Sequence, residues 1–173
     1  WTMSTLRTST PAFDRLKQRG VQMASSYGAL LKIAAVLWVI WGAVHMFAGV
    51  MTMSLETGAA VAGIADALDP ALLVNDYHPA VGAVVNQHGF NLLWIGAFTV
   101  IGGIYIWRQS VVAIFMTAIV GWVTDVGYFI FIDLGGFAYF VPGTVMTIIS
   151  TAAVVLSIWA YYVGLRGPRE ASP

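Results

Sequence analysis

The chain contains no cysteine and few charged residues. Without cysteine it can form no disulfide, no thiolate metal site, no iron–sulfur cluster and no covalent c-type haem attachment. Charged residues make up 9% of its 173 residues, whereas hydrophobic residues make up 59%. Soluble domains are about 25% charged and about 45–50% apolar. The composition therefore excludes a water-soluble globule.

The chain also lacks a charge excess and recognisable catalytic motifs. Eight Lys and Arg balance eight Asp and Glu, so there is no basic field of the kind that nucleic-acid binding needs. We expect no nucleic-acid partner. The sequence has no nucleotide-binding glycine loop, no nucleophile elbow and no zinc-protease motif. Because no nucleophile–base pair is visible, the sequence favours a non-catalytic protein over an enzyme that acts inside the membrane, and it does not identify a cofactor.

What the chain does have is long apolar runs. A helix needs about 20 apolar residues to cross the core of a bilayer, and four runs meet this requirement. The predicted transmembrane helices cover residues 29–53, 89–108, 111–132 and 141–164. The sequence thus predicts an all-α, polytopic integral membrane protein, in which residues 1–173 form a single membrane domain and the four helices form a bundle.

Basic residues predict the orientation of this bundle. Every Lys and Arg falls on one side, as the positive-inside rule expects of cytoplasmic segments. These residues are Arg7, Arg15, Lys17, Arg19, Lys32, Arg108, Arg166 and Arg169. The long connection over 54–88 carries acidic residues but no Lys or Arg. We therefore expect both termini in the cytoplasm, the 54–88 connection outside, and a bacterial-type cytoplasmic membrane as the location.

Two segments outside the spans are expected to be partly helical. Thr10 as N-cap and Pro11 at the first helical position begin a basic segment, residues 10–26, which we predict to be an interfacial helix. In the outer loop between the first two spans, Pro70 and Pro79 punctuate short helices that cap the outer end of the bundle. Pro79 could instead open a helix that continues unbroken into the second span.

Polar side chains within the spans predict a site. A rise of about 1.5 Å per residue places His45 roughly 20 Å and Asp125 roughly 22 Å above the cytoplasmic boundary. Asn91 and His88 lie higher, at roughly 25 and 30 Å. An ionisable residue inside a span is costly and is a functional-site hypothesis by default. We expect these four residues to line an outward-opening pocket, with the carboxylate of Asp125 orienting the imidazole of His45. A buried carboxyl that only fixes helix register is the alternative.

Three ligand chemistries suit such a pocket. An amphiphile such as a quinone or a lipid fits aromatic walls from Trp41 and Tyr128 with a few directional polar groups. Haem b between His45 and His88 is a second possibility, although their offset of about 10 Å along the bundle axis argues against it. Metal binding by His45, His88 and Asp125 is the third. The predicted ligand-binding residues are His45, His88, Asn91, Asp125, Trp41 and Tyr128.

The functional hypothesis follows from these features. We expect a small, non-catalytic membrane protein that contacts lipid and binds an amphiphile in the outward-facing pocket. It is expected to act as an accessory subunit of a larger membrane assembly or as a homo-oligomer, since four short-looped helices offer extensive apolar surface. A small proton-linked transporter or channel is the first alternative, and it requires a polar path to the cytoplasmic side. A membrane oxidoreductase that uses quinone or haem is the second.

Overall fold

A computed structural model describes residues 11–73 and 75–165. Within these ranges every regular element is a helix. In chain order the α-helices are α1 (Pro11–Ser54), α2 (Thr57–Ile64), α3 (Pro70–Leu73), α4 (Pro79–Trp107), α5 (Val111–Thr117), α6 (Val123–Tyr128) and α7 (Val145–Leu165). Two π-helical turns, Ala118–Trp122 and Phe129–Asp133, follow α5 and α6. The segment Phe140–Thr144 precedes α7 and is kinked at Val141, whose φ of −116° and ψ of 125° are not helical.

Four stretches of helix are long and apolar enough to cross a membrane, and they suggest an integral membrane protein. We call them candidate spans 1 to 4. They cover Ser26–Ser54, Pro79–Trp107, Val111–Asp133 and Phe140–Gly164. The predicted all-helical character and the predicted number of long apolar helices are therefore confirmed for the described part of the chain.

The first helix differs from its prediction. We expected a separate interfacial helix over residues 10–26, but α1 is a single helix from Pro11 to Ser54. No proline lies between these two residues, so every backbone N–H after the first turn can bond within the helix. Thr10, the predicted N-cap, lies outside the described residues.

The second long helix begins earlier than its predicted boundary at residue 89. It starts at Pro79 and continues without interruption to Trp107, which confirms the alternative in which Pro79 opens the helix. Proline suits this position because its missing N–H would have no partner in the first turn. The ring Nδ1 of His78 accepts a hydrogen bond from the backbone N–H of Ala80 at 3.2 Å and caps the start.

Glycine pairs bring α1 and α4 into backbone contact. These two helices have the most extensive contacts in the structure. A Cβ atom added at Gly42 would lie 2.5 Å from the carbonyl oxygen of Gly96, and one at Gly49 would lie 2.5 Å from that of Gly89. Only small residues permit so close an approach between helices. The crossing fixes the rotation of both helices and hence the direction in which His45 points.

Candidate span 3 is not a regular α-helix. Its π-helical turns, Ala118–Trp122 and Phe129–Asp133, stand on either side of the α-helical turn that carries Asp125. Short π-helical insertions are rare and occur frequently at functional sites, because they change the direction of the side chains that follow. The irregularity thus surrounds the one acidic residue at the middle of this span.

Two connections meet at the end of the molecule opposite Lys32. The carboxylate Oδ1 of Asp66, which follows α2, accepts a hydrogen bond from the backbone N–H of Tyr139 at 2.7 Å. The backbone N–H of Ala67 donates to the carbonyl oxygen of Phe137 at 3.1 Å. These bonds join the connection between candidate spans 1 and 2 to that between candidate spans 3 and 4.

Candidate functional site

The carboxylate of Asp125 is held inside the protein by Trp41. The indole Nε1–H of Trp41 donates to Oδ2 of Asp125 at 2.6 Å. Trp41 is fully buried and Asp125 is 2% exposed. The Ser150 hydroxyl donates its one hydrogen to the carbonyl oxygen of Thr147 at 3.1 Å. A carboxylate held by a buried donor on another helix has a defined orientation.

His45 is held by Trp41 on its own helix. Its Nδ1 lies 2.9 Å from the carbonyl oxygen of Trp41, one helical turn earlier. Its ring stacks on the indole of Trp41, with centroids 3.6 Å apart and planes inclined by 20°. The backbone and the indole of Trp41 thus contribute to the orientation of the imidazole, and the expected contribution of the Asp125 carboxylate stays a prediction.

The free nitrogen of His45 faces the same carboxylate across a gap. Nε2 lies 3.7 Å from Oδ1 of Asp125. This separation exceeds the roughly 2.7–3.2 Å of a direct hydrogen bond between nitrogen and oxygen. Both side chains also border a cavity, so a polar atom of a ligand or a water can reach the space between them.

The cavity has a volume of about 590 Å³ and lies between the candidate spans and α2. It is bordered by Val44, His45, Phe47, Ala48, Met51, Thr52, Leu55, Ala60, Gly63, Ile64, Asp66, His88, Leu92, Thr124, Asp125, Gly127, Tyr128, Ile132, Pro142, Gly143 and Met146. Most of these residues are apolar, and the polar ones are few. Mostly apolar walls with a small number of directed polar groups are typical of small-molecule sites.

The structure brings together four of the six predicted ligand-binding residues. His45, His88, Asp125 and Tyr128 all border the cavity. Trp41 does not border it and instead holds His45 and Asp125 from behind.

Asn91 does not border the cavity either, contrary to its predicted place in the site. Its Oδ1 accepts a hydrogen bond from the indole Nε1–H of Trp94 at 3.1 Å. Asn91 and Trp94 are one turn apart, so this bond stays within α4. The polar amide is thus paired with an exposed indole rather than with the site.

Residues from the connections also border the cavity, and the sequence did not predict them as part of the site. Ala60, Gly63 and Asp66 from the connection after candidate span 1 border it, as does Gly143 at the start of candidate span 4. A Cβ atom at Gly143 would lie 2.6 Å from the hydroxyl of Tyr128. The only sequence signal was the Ala- and Gly-rich composition of residues 58–68, which predicted short helices but not their position.

The charge around the cavity limits what it can hold. Its border includes the carboxyls of Asp66 and Asp125, and no Lys or Arg is among the described residues that form it. In the described ranges, no group of three His, Asp or Glu side chains is arranged to hold a metal ion. The metal hypothesis for His45, His88 and Asp125 therefore gains no geometric support.

A second set of polar atoms lies buried in the candidate spans. Thr117 and Ser157 are essentially unexposed, and so is the indole of Trp38. Among the described residues, none provides a hydrogen-bond partner for Thr117 Oγ1, Ser157 Oγ or Trp38 Nε1. Buried polar groups usually bond to protein or to ordered water, so these three atoms mark places where water is expected.

Comparison of the chain with protein-family models, with curated proteins and with solved structures gave no match. We therefore infer function from the geometry of the cavity and of its polar groups.

Proposed function

We propose that this protein is an integral membrane protein that binds an amphiphile, such as a quinone or a lipid, in the cavity beside His45 and Asp125. The observation that carries the proposal is the cavity itself, about 590 Å³ of mostly apolar space with two histidines and one buried carboxylate on its border. This volume is within the roughly 300–1,000 Å³ of known ligand pockets.

The proposal includes an orientation in a bacterial-type cytoplasmic membrane. Lys32 lies over the ring of Trp107, with 5.4 Å between Nζ and the ring centroid, so Lys32 and Arg108 share one end of the protein. Asp66, Asp69 and Asp76 lie in the connection at the other end. The positive-inside rule places the basic end, with both termini, in the cytoplasm. The cavity then opens toward the outer side of the membrane.

The protein acts by binding rather than by catalysis in this proposal. None of the described residues that border the cavity is a serine, a cysteine or a lysine. Many large apolar side chains are exposed on the candidate spans, including Phe47, Val112 and Trp159. These surfaces face lipid or other membrane subunits, which supports a role as an accessory subunit or a homo-oligomer.

Binding to a defined probe tests the proposal. Purified protein in detergent is titrated with decylubiquinone, and quenching of tryptophan fluorescence is followed. Gly127→Phe is the blocking variant, because Gly127 borders the cavity and a Cβ atom there meets nothing within 4 Å. Val123→Phe is the matched control, since Val123 is 57% exposed and does not border the cavity.

We expect saturable binding by the wild type and by Val123→Phe, and at least about tenfold weaker binding by Gly127→Phe because the added ring occupies the cavity. Mass spectrometry of lipid extracts from the same samples should show less retained amphiphile in Gly127→Phe. Absence of saturable binding in the wild type, or equal binding by both phenylalanine variants, contradicts the proposal.

Proton-linked transport is a second candidate, and one observation favours it. Ser150, Thr117 and Ser157 are buried along candidate spans 3 and 4, on the basic side of Asp125. A chain of buried hydroxyls with water can relay protons from the site to the cytoplasmic side. Liposomes containing the protein and a trapped pH dye test this function. It predicts a proton leak or a substrate-driven pH change that is lost in Ser157→Ala, and a silent wild type excludes it.

A further inference from the structure

We propose that the site selects amphiphiles whose polar end donates a hydrogen bond, so that a hydroquinone is bound in preference to the corresponding quinone. This inference rests on the proposed function and names the class of ligand more narrowly. It follows from two acceptor atoms, Nε2 of His45 and Oδ1 of Asp125, which face one another beside the cavity.

The first acceptor follows from the bond between His45 and its own helix. A carbonyl oxygen only accepts hydrogen bonds, so Nδ1 of His45 must carry the hydrogen in its 2.9 Å contact with the Trp41 carbonyl oxygen. In a neutral imidazole the other nitrogen is then an acceptor. That nitrogen, Nε2, is the one that faces Asp125.

The second acceptor follows from the bond between Asp125 and Trp41. The indole N–H occupies Oδ2 at 2.6 Å and leaves Oδ1 toward His45. An ionised carboxylate only accepts, and each of its oxygens has two lone pairs, so Oδ1 can receive a hydrogen.

Two acceptors that face one another are satisfied only by a hydrogen between them. Their separation of 3.7 Å is too long for one to bond directly to the other, so a third polar atom is needed in the gap. A ligand hydroxyl at this place donates its one hydrogen to one of the two acceptors. A quinone carbonyl at the same place brings a third acceptor and no hydrogen.

The other charges around the cavity agree with a neutral donor. The carboxyl of Asp66 borders the cavity as well, and no Lys or Arg does so among the described residues. A fatty-acid carboxylate or a phospholipid phosphate would therefore enter without a cationic partner, which is unfavourable in an apolar site.

The experiment compares three probes that share one apolar body. Decylubiquinol carries two hydroxyls, decylubiquinone carries two carbonyls, and the dimethyl ether of the quinol keeps the oxygens but has no hydrogen to donate. Each is titrated into the full-length wild-type protein in detergent, under reducing conditions for the quinol. We expect the quinol to bind about ten- to a hundredfold more tightly than the quinone or the ether, as befits a hydrogen bond to a charged acceptor.

Asp125→Asn gives a sharper comparison at nearly constant size. The Trp41 N–H will retain the amide oxygen as its acceptor, which turns the amide NH₂ toward the gap. An NH₂ group donates to a carbonyl, so we expect the preference for the quinol to fall to about threefold or less, or to reverse in favour of the quinone. Retained binding of the quinone shows that the variant is folded.

His45→Leu tests the other acceptor if Asp125→Asn does not fold. It removes Nε2 while it keeps an apolar side chain on α1, and it should lower the ratio of quinol to quinone affinity in the same direction. The ratio is measured within one protein sample, so a partial loss of folded protein does not affect it.

The outcomes separate this inference from the proposed function. Equal affinities of the wild type for quinol, quinone and ether overturn donor selection and leave amphiphile binding intact. Tighter binding of dodecyltrimethylammonium or of dodecanoate than of the quinol also overturns it, because neither of these ions donates a hydrogen bond. Failure of the wild type to bind any of the three matched probes overturns the proposed function itself.

Discussion

The indole N–H of Trp41 and the carboxylate of Asp125 form a 2.6 Å hydrogen bond between candidate spans 1 and 3. Trp41 is fully buried and Asp125 is 2% exposed, so loss of either partner would leave the other polar group buried. The same indole supports the ring of His45 on its face. Trp41 thus positions both polar groups of the site without bordering the cavity. The consequence is that the site and the packing of these two spans depend on one another.

The first prediction concerns the stability of this pair. Asp125→Ala leaves the buried N–H of Trp41 without an acceptor and should lower the free energy of unfolding by about 1–3 kcal/mol. In a double-mutant cycle with Trp41→Phe, we expect a coupling energy of about 0.6–1.7 kcal/mol, from the average to the maximum measured for hydrogen bonds between membrane helices. Equilibrium unfolding in detergent, followed by circular dichroism, provides the values.

Trp94→Phe is the control for this cycle. The indole of Trp94 bonds to Asn91 on its own helix and is 45% exposed, so it has no contact with Asp125. Its cycle with Asp125→Ala should be additive to within about 0.5 kcal/mol. Strict additivity in the Trp41 cycle as well would mean that the 2.6 Å bond contributes nothing to folding.

Helical geometry explains why part of the site was predictable. The rise per residue in a helix is nearly constant, so distances from Lys32 and from the turn before Val111 placed His45 and Asp125 at one level. The structure brings their polar atoms to 3.7 Å. Thr117, Gly121 and Asp125, which are spaced by four residues, are buried on one side of candidate span 3.

The second prediction concerns the crossing of α1 and α4. Gly42→Ala puts a methyl group 2.5 Å from the carbonyl oxygen of Gly96 and 2.6 Å from the hydroxyl of Thr99. The helices must separate, and overpacking of this kind should cost about 1–3 kcal/mol. The measurement is the thermal unfolding midpoint, followed by intrinsic tryptophan fluorescence.

Gly127→Ala provides the matched comparison. It is the same chemical change within a helix, but its Cβ atom meets nothing within 4 Å. We expect no loss, or a gain of about 0.5–1 kcal/mol from the better helix propensity of alanine. Equal stability of Gly42→Ala and Gly127→Ala would contradict the close approach of α1 at Gly42 to the Gly96 carbonyl oxygen of α4.

The sequence did not predict how α4 is rotated about its axis. His88, Asn91 and Leu92 are all within about one turn of α4, and the periodicity alone does not decide which of them faces the site. The contact of Gly49 with Gly89 fixes this rotation and directs His88 and Leu92 to the cavity. Such a backbone contact between distant residues leaves no local pattern.

The third prediction concerns orientation in the membrane and uses the absence of cysteine. Single cysteines are introduced at Asp76, in the connection between candidate spans 1 and 2, and at Gln109, between candidate spans 2 and 3. Both positions are exposed. Positive-inside placement predicts that an impermeant maleimide labels Asp76→Cys in intact cells and labels Gln109→Cys only after the membrane is opened. The reverse pattern, or equal labelling in intact cells, contradicts the proposed orientation.

The sequence also did not predict that the connections form part of the cavity border. Asp66 and Tyr139 are 73 residues apart in the chain, and their hydrogen bond depends on how the long helices bring the two connections together. Composition predicted short helices after candidate span 1, and α2 and α3 are present. It did not indicate that Ala60, Gly63 and Asp66 would close one side of the cavity.

The fourth prediction concerns the hydrogen bond between Asp66 and Tyr139, which joins the two connections beside the cavity. Asp66→Ala removes the acceptor of the Tyr139 N–H, a bond of 2.7 Å, and leaves the bond from Ala67 to Phe137 between the two connections. Loss of one hydrogen bond worth about 0.5–1.5 kcal/mol should raise amide hydrogen exchange in both connections by about two- to tenfold. Mass spectrometry of exchanged peptides measures this rate.

Asp69→Ala is the comparison for this last change. It also removes a carboxylate from the same connection, but Oδ1 of Asp69 accepts the backbone N–H of Ala71 at 3.0 Å within the start of α3. Its effect should therefore stay near α3 and should not reach residues 137–139. Faster exchange at 137–139 in Asp66→Ala alone would show that one bond couples the two connections over the cavity. The same exchange in both variants would assign the closure to the apolar contacts of α2 with α1 and α4 instead.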